Sequence, residues 1–237
     1  MAKRAISTST GNISELLERI RGLEDSLEYE KKLNKNLEQD NIHLRKALEQ
    51  TITILVNIAE MKDPYTVGHQ KRVSQLATAI AKKMNLPEEK VEFVRIASLI
   101  HDIGKVSVPS EILNKPSKLT DSEYALIKTH PAVSYKYIKD IDFPRKVADI
   151  ILQHHEKMNG TGYPNGLRNR EILLEAKIVS VADVVESMDH KRPYRPALGI
   201  DKALEEISKN KGKLYDPAVV ETCIKLIKED GFEFKNH

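Results

Sequence analysis

The sequence has a single cysteine, Cys223, and no tryptophan. One thiol excludes an internal disulfide framework and fits a reducing compartment. Cys223 lies in an apolar helical pattern with Val219, Val220, Ile224 and Leu226, which marks it as a core residue. No apolar run is long enough to span a bilayer, and the first residues, MAKRAISTSTGN, lack the apolar stretch of a secretory signal. A cytoplasmic protein with no membrane segment is expected. Neither sign of charge dominates: 38 Lys and Arg stand against 35 Asp and Glu, a formal net charge of +3. That is too small to argue for polymeric nucleic acid as a partner. No stretch alternates apolar and polar residues at period two, so strands are not expected.

What is present is helical periodicity. With Ile13 at heptad position a and Leu16 at d, the a series reads Ile13, Ile20, Leu27, Asn34, Asn41, Leu48, Leu55. The d series reads Leu16, Leu23, Glu30, Leu37, Leu44, Thr51, Ile58. Ten of these fourteen seam positions are apolar. Asn at a fixes register in parallel two-stranded coils, at some cost in stability. Arg19 and Glu24, and Asp40 and Arg45, occupy flanking positions suited to pairing across such a coil. No Pro occurs before Pro64, so 13–58 reads as one helix, about 70 Å long at 1.5 Å per residue. A helix this polar needs a partner to be stable. A parallel homodimer through 13–58 is expected, after a disordered 1–12.

From Thr51 the pattern grows more apolar and merges into a globular part, residues 51–237. Helices are expected over 68–84, after "NLPEE", over 90–102, and over 121–129, 131–139, 144–156, 175–190, 200–209 and 217–229. The fold class is all-α.

Several histidines and acids then fall in apolar surroundings. His101 and Asp102 follow the most apolar helical pattern, His154 and His155 close VADIILQHH, and Asp183 sits within AKIVSVADVVESM. His69 and His130 lie near the starts of two further helices. A buried carboxylate is costly unless paired. A cation that neutralises the acids and takes the imidazole lone pairs explains the whole set. Five His and two Asp exceed the needs of one ion, which makes two the natural count. The donor set suits Fe or Mn, with Zn as the alternative.

The ordered pieces DPYTVGHQKRV (63–73), HDIGKVSVP (101–109), KTHP (128–131), HHEKMNGTGYPNGL (154–167), VADV (181–184) and RPYRPAL (192–198) resemble the HD-GYP subgroup of the HD phosphohydrolase superfamily. The resemblance covers about Asp63 to Pro217. It implies a multi-helix bundle and a signal-transduction enzyme. The implied reaction converts cyclic di-GMP to pGpG, in some members on to GMP, by a hydroxide shared between two metal ions. It assigns metal-ligand roles to His69, His101, Asp102, His130, His154, His155 and Asp183, with Asp102 as the bridge. Lys105, after the HD pair, would stabilise phosphate charge or the leaving group. Tyr163, Arg192 and Arg195 would contact substrate, and Gly160, Gly162 and Gly166 would turn the loop that carries Tyr163. Tyr65 replaces the Glu found four residues before the first histidine in three-metal members, which argues for two ions. Asn159 stands where Asp is common, at a turn. The resemblance also implies partners: a diguanylate cyclase, or a sensor or receiver domain. Two other readings are a catalytically silent cyclic di-GMP sensor or cyclase scaffold, and a phosphohydrolase for another cyclic dinucleotide such as 3′,3′-cyclic GMP-AMP.

Overall fold

The computed structural model describes residues 2–63, 67–141, 146–191 and 197–235. Tyr65, Arg192 and Arg195 lie outside the described residues. The chain divides into two compact units, Met1–Thr51 and Ile52–His237.

Helix α1 runs Ala2–Lys62, through the division between the units. It begins ahead of the Ile13 start expected from the heptads. Residues 2–12 contain no Pro, so each added residue gains a hydrogen bond at little further cost, and the helix continues through them. In the first unit every described side chain, Glu15 to Thr51, is exposed. Leu23 and Leu44, both seam residues, are 71% and 69% exposed. Among the described residues, no helix is long and apolar enough to cross a membrane.

Among the described residues, the second unit is all helix and loop. Its only β-type pairings among the described residues are two isolated bridges, Asn159 with Arg168 and Lys211 with Tyr215. Helix α2 spans His69–Lys83 and buries Val73, Leu76, Ala77 and Ile80 at helical spacing. Helix α3 spans Glu88–Ile100, with Glu88 and Glu89 in a first turn whose free N–H groups favour negative charge. A 3-10 turn, Ile103–Ser107, and short α4, Ser110–Leu113, follow. Helix α5, Asp121–Ile127, opens on a reciprocal cap between Thr120 and Glu123. Helix α6, His130–Ile138, carries Pro131 in its first turn, where the missing N–H costs nothing. Then come α7 (Lys146–Gln153), α8 (Leu174–Asp189), α9 (Ile200–Lys209) and α10 (Pro217–Lys228). The Asp216 carboxylate caps α10 by accepting from the Ala218 N–H at 3.0 Å.

Helix α8 is the centre of the unit. It packs against α2, α3, α7, α9 and α10. Ile178, Val179, Val181, Ala182 and Val185 are fully buried, which accounts for a helix apolar nearly all round. Cys223 is buried in the same core, and burial pushes its thiol up to about 12.

Two helices end sooner than their apolar patterns suggest. Helix α3 stops at Ile100 and α7 at Gln153. His101, Asp102, His154 and His155 are therefore in the turns that follow, not inside helices.

Candidate metal centre

The seven titratable residues singled out in the sequence converge at one place. Asp102, His130, His154 and His155 offer ligand atoms within 4.8 Å of one another, as do His69, His101 and Asp183. His69 and His130 are the first residues of α2 and α6, and Asp183 comes from the middle of α8. His69, His101, His130 and His154 are at most 1% exposed.

The helix ends explain how the rings are aimed. The last carbonyls of a helix have no partner within it. His101 Nδ1 lies 2.7 Å from the Ser98 carbonyl at the end of α3. His130 Nδ1 lies 2.8 Å from that of Ile127, which ends α5, and His154 Nδ1 2.6 Å from that of Ile151 in α7. A carbonyl only accepts, so each Nδ1 carries the proton and each Nε2 keeps its lone pair. Those three Nε2 atoms turn inward, to the centre of the site. The same helix termini carry partial negative charge, which favours a cation there.

The two acids face both sets. Asp102 Oδ1 is 3.2 Å from His130 Nε2, and its Oδ2 is 3.5 Å from His101 Nε2 and 3.8 Å from His69 Nε2. Asp183 Oδ1 is 3.3 Å from His69 Nε2, and its Oδ2 is 4.0 Å from His155 Nδ1. Burial alone would raise the Asp102 carboxyl, but Lys105, His101 and His130 outweigh it and hold the group well below the usual carboxylate range. Asp183 is held low in the same way, against burial, by His69, His101 and His155. The histidines move in the sense a metal needs. Burial lowers His101 and takes His154 down to about 3, with His101 and His130 adding to the second shift. His155 falls well below its ordinary value, through burial first and then the neighbouring His154. At neutral pH these rings are uncharged donors beside charged carboxylates.

The donor set fits divalent ions. The buried His101 Nε2 makes no hydrogen bond among the described residues. A neutral imidazole so placed, beside two low-lying carboxylates, is suited to ligate a divalent cation.

Lys105 reaches the rim, its Nζ donating to Asp102 Oδ2 at 2.6 Å. Tyr163 lies over His155, with ring centroids 4.7 Å apart and planes inclined by 32°. The Lys128 ammonium is 5.7 Å from the Tyr163 ring centre. Burial pushes the Tyr163 hydroxyl up, so it stays protonated. The loop that carries Tyr163 uses its glycines in two ways. Gly160 and Gly166 have positive φ, 81° and 64°, and make turns. Gly162 does not turn the chain. Its backbone lies against the turn after α7, where a Cβ would be 2.4 Å from Glu156 Cα and Lys157 N. Asn159 serves as a turn residue, its Oδ1 accepting from Thr161 N at 3.1 Å.

Among the buried acids that the sequence does not single out, two bear directly on the site. Glu156 accepts from the N–H groups of Asn165 at 2.7 Å and Leu167 at 2.9 Å, and so ties the Tyr163 loop to the histidine turn. Glu186 contacts His69 Nδ1 with one oxygen and accepts from Arg72 Nε at 2.7 Å with the other. Its position was a usable signal: it stands three residues after Asp183 on an apolar helix, hence on the same face.

The HD domain family model matches residues 53–219. A "Cyclic di-GMP phosphodiesterase" of Thermotoga maritima is 37% identical over 199 residues, 83% of this chain and 54% of that protein. A "3'3'-cGAMP-specific phosphodiesterase 3" of Vibrio cholerae is 34% identical over 186 residues, 77% of this chain and 40% of that protein. Among solved structures, Bd1817, an HD-GYP protein from Bdellovibrio bacteriovorus, superposes with a TM-score of 0.57 at 25% identity, covering 68% of this chain and 51% of that one. The chain belongs to the HD domain family, and within it to the HD-GYP type. It spans about half the length of the curated relatives it matches, 54% and 47% of the first two.

Proposed function

We propose that the chain is a metal-dependent cyclic dinucleotide phosphodiesterase that opens cyclic di-GMP to pGpG, with GMP as a further product. The observation that supports this best is the convergence of five His and two Asp in two sets, with Asp102 facing both. Asp102, His130, His154 and His155 would hold one ion; His69, His101 and Asp183, with the second oxygen of Asp102, would hold the other. Fe or Mn suits these N and O donors, with Zn the alternative. Two bound ions supply an activated water and neutralise charge on the phosphoryl oxygens. The chain's own groups do the rest. Asp102 fixes the separation of the two sets. Lys105, beside Asp102, places an ammonium where a phosphate oxygen or the departing 3′ oxygen gathers charge. Tyr163, half-buried over His155, would offer its ring or hydroxyl to bind base or phosphate. Arg192 and Arg195 are further candidates for phosphate contacts.

The exposed apolar seam of α1 supports a parallel homodimer through 13–58. An upstream sensor or receiver, or a diguanylate cyclase, remains the expected class of partner. A second substrate reading has a specific basis: relatives of similar identity are named for cyclic di-GMP and for 3′3′-cGAMP. The test is turnover of both dinucleotides by anaerobically purified, metal-analysed protein. Hydrolysis of cyclic di-GMP to pGpG supports the proposal. Preference for the mixed dinucleotide moves it to the second reading. Metal binding with no turnover of either makes the protein a sensor or scaffold.

A further inference from the structure

His69 is placed differently from His101, His130 and His154. It opens α2 as His130 opens α6, but the described helix before it, α1, ends at Lys62, seven residues earlier, whereas α5 ends at Ile127, three residues before His130. Like His130, it also stands at the positive end of a helix, the less favourable place for a cation. The structure fills both needs with one side chain. Glu186, from α8 and fully buried, brings a carboxylate oxygen to His69 Nδ1 across 117 residues of sequence. Its other oxygen is fixed by Arg72 Nε at 2.7 Å, and His190 Nδ1 lies 3.3 Å from it. Arg72 follows His69 on α2 at three residues' distance, so the three residues close a loop between two helices.

We infer that Glu186 is the positioning residue of the metal site formed by His69, His101 and Asp183. It holds the His69 proton on Nδ1, directs Nε2 to the ion, and makes that ring the strongest imidazole donor of the set. A carboxylate behind an imidazole does more than a carbonyl. It withdraws the ring proton further, raises the basicity of the opposite nitrogen, and adds a full negative charge behind a cationic centre. The other set has three histidines and Asp102; His130 and His154 lean on carbonyls through Nδ1, and His155 Nδ1 lies 4.0 Å from Asp183 Oδ2. The two sites are therefore unequal by construction, and Glu186 governs one of them. The inference rests on the metal reading proposed above and concerns only which residue tunes which ion.

The test is titration of metal-free full-length protein with Zn2+ by calorimetry, for the parent, Glu186→Gln and His69→Gln. Glu186→Gln keeps the shape and removes the charge. It should weaken one ion by about 10- to 100-fold, the usual effect of losing such a partner, and the other by much less. The ion weakened should be the one lost in His69→Gln. A second measurement needs no variant at this acid: long-range 1H–15N spectra of the zinc-loaded parent should show His69 protonated at Nδ1 and coordinated through Nε2. Parent affinity for both ions in Glu186→Gln, equal weakening of both, or a His69 ring bound through Nδ1 would each overturn the inference. A parent protein that takes up no zinc, manganese or iron would instead defeat the metal reading itself.

Discussion

Replacing Gly104 by alanine tests how the two halves of the site are held together. Gly104 lies in the 3-10 turn after Asp102, and its backbone packs directly on the start of α6. A Cβ there would lie 2.1 Å from the His130 carbonyl oxygen and 2.7 Å from both N and Oγ of Ser134. Ordinary contact begins at 3.4 Å, which leaves a shortfall of about 1.3 Å against main chain. No side chain can swing aside to relieve it. The Gly104 N–H also donates to Ser134 Oγ at 2.8 Å, and that hydroxyl donates to the His101 carbonyl at 3.1 Å. Overpacking of this kind costs about 1–3 kcal/mol, and loss of the buried hydrogen bonds adds about 1 kcal/mol. For a chain of this size the sum corresponds to a melting temperature roughly 4–16 °C lower. The displacement moves His130 away from Asp102, now 3.2 Å apart, and so loosens the set that holds His154 and His155. Circular dichroism melting and metal analysis of Gly104→Ala read both effects. A variant that melts within about 2 °C of the parent and takes up the same metal would refute the reasoning.

Asp102→Ala should remove metal and turnover together, whereas Lys105→Ala should keep its metal and turn over about 10²–10³-fold more slowly; elemental analysis beside cyclic di-GMP hydrolysis separates the two. Leu23→Asp with Leu27→Asp puts charge in the apolar seam of α1, and light scattering should then fall from twice the 26.9 kDa chain mass to the chain mass. Metal-free protein should lose stability as pH falls below about 6.5. His154, at about 3 when folded against 6.5 when free, binds its proton more readily in the unfolded chain, so stability is full above 6.5 and drains away toward 3. Thermal melts across that range check the direction. The Cys223 thiol, pushed up to about 12 in the core, should react with a disulfide reagent only when the protein unfolds.

Much of this architecture was written in local pattern. The apolar faces of α2, α8 and α10 repeat at helical spacing, and each helix lies close to its expected span. The seven His and Asp stood out because a charged or polar side chain in an apolar run needs a reason, and the reason is shared. Helix ends were less legible. His101 and His154 continue the apolar rhythm of α3 and α7, and periodicity does not register a side chain that turns back to its own helix. Glu156 and Glu186 escaped for a different cause. An acid in a sequence looks solvated until the fold shows what it faces, and two partners of Glu186, Arg72 and His69, lie 114 and 117 residues away. Gly162 reads locally as a turn former; the need there is for space beside Glu156, a tertiary fact with no local mark.

The carbonyls that hold His101, His130 and His154 belong to Ser98, Ile127 and Ile151, one hydroxyl-bearing residue and two aliphatic ones. The acceptor is main chain, so nearly any residue can supply it. A scan of side-chain replacements at 98, 127 and 151 would therefore pass over the device that aims three of the rings. Only a change in backbone, such as an ester in place of the amide that follows each of these carbonyl carbons, would weaken the acceptor and expose its part. It follows that replacing the side chains of the three acceptor residues would leave the aiming of these rings nearly intact, while replacing the histidines themselves would not.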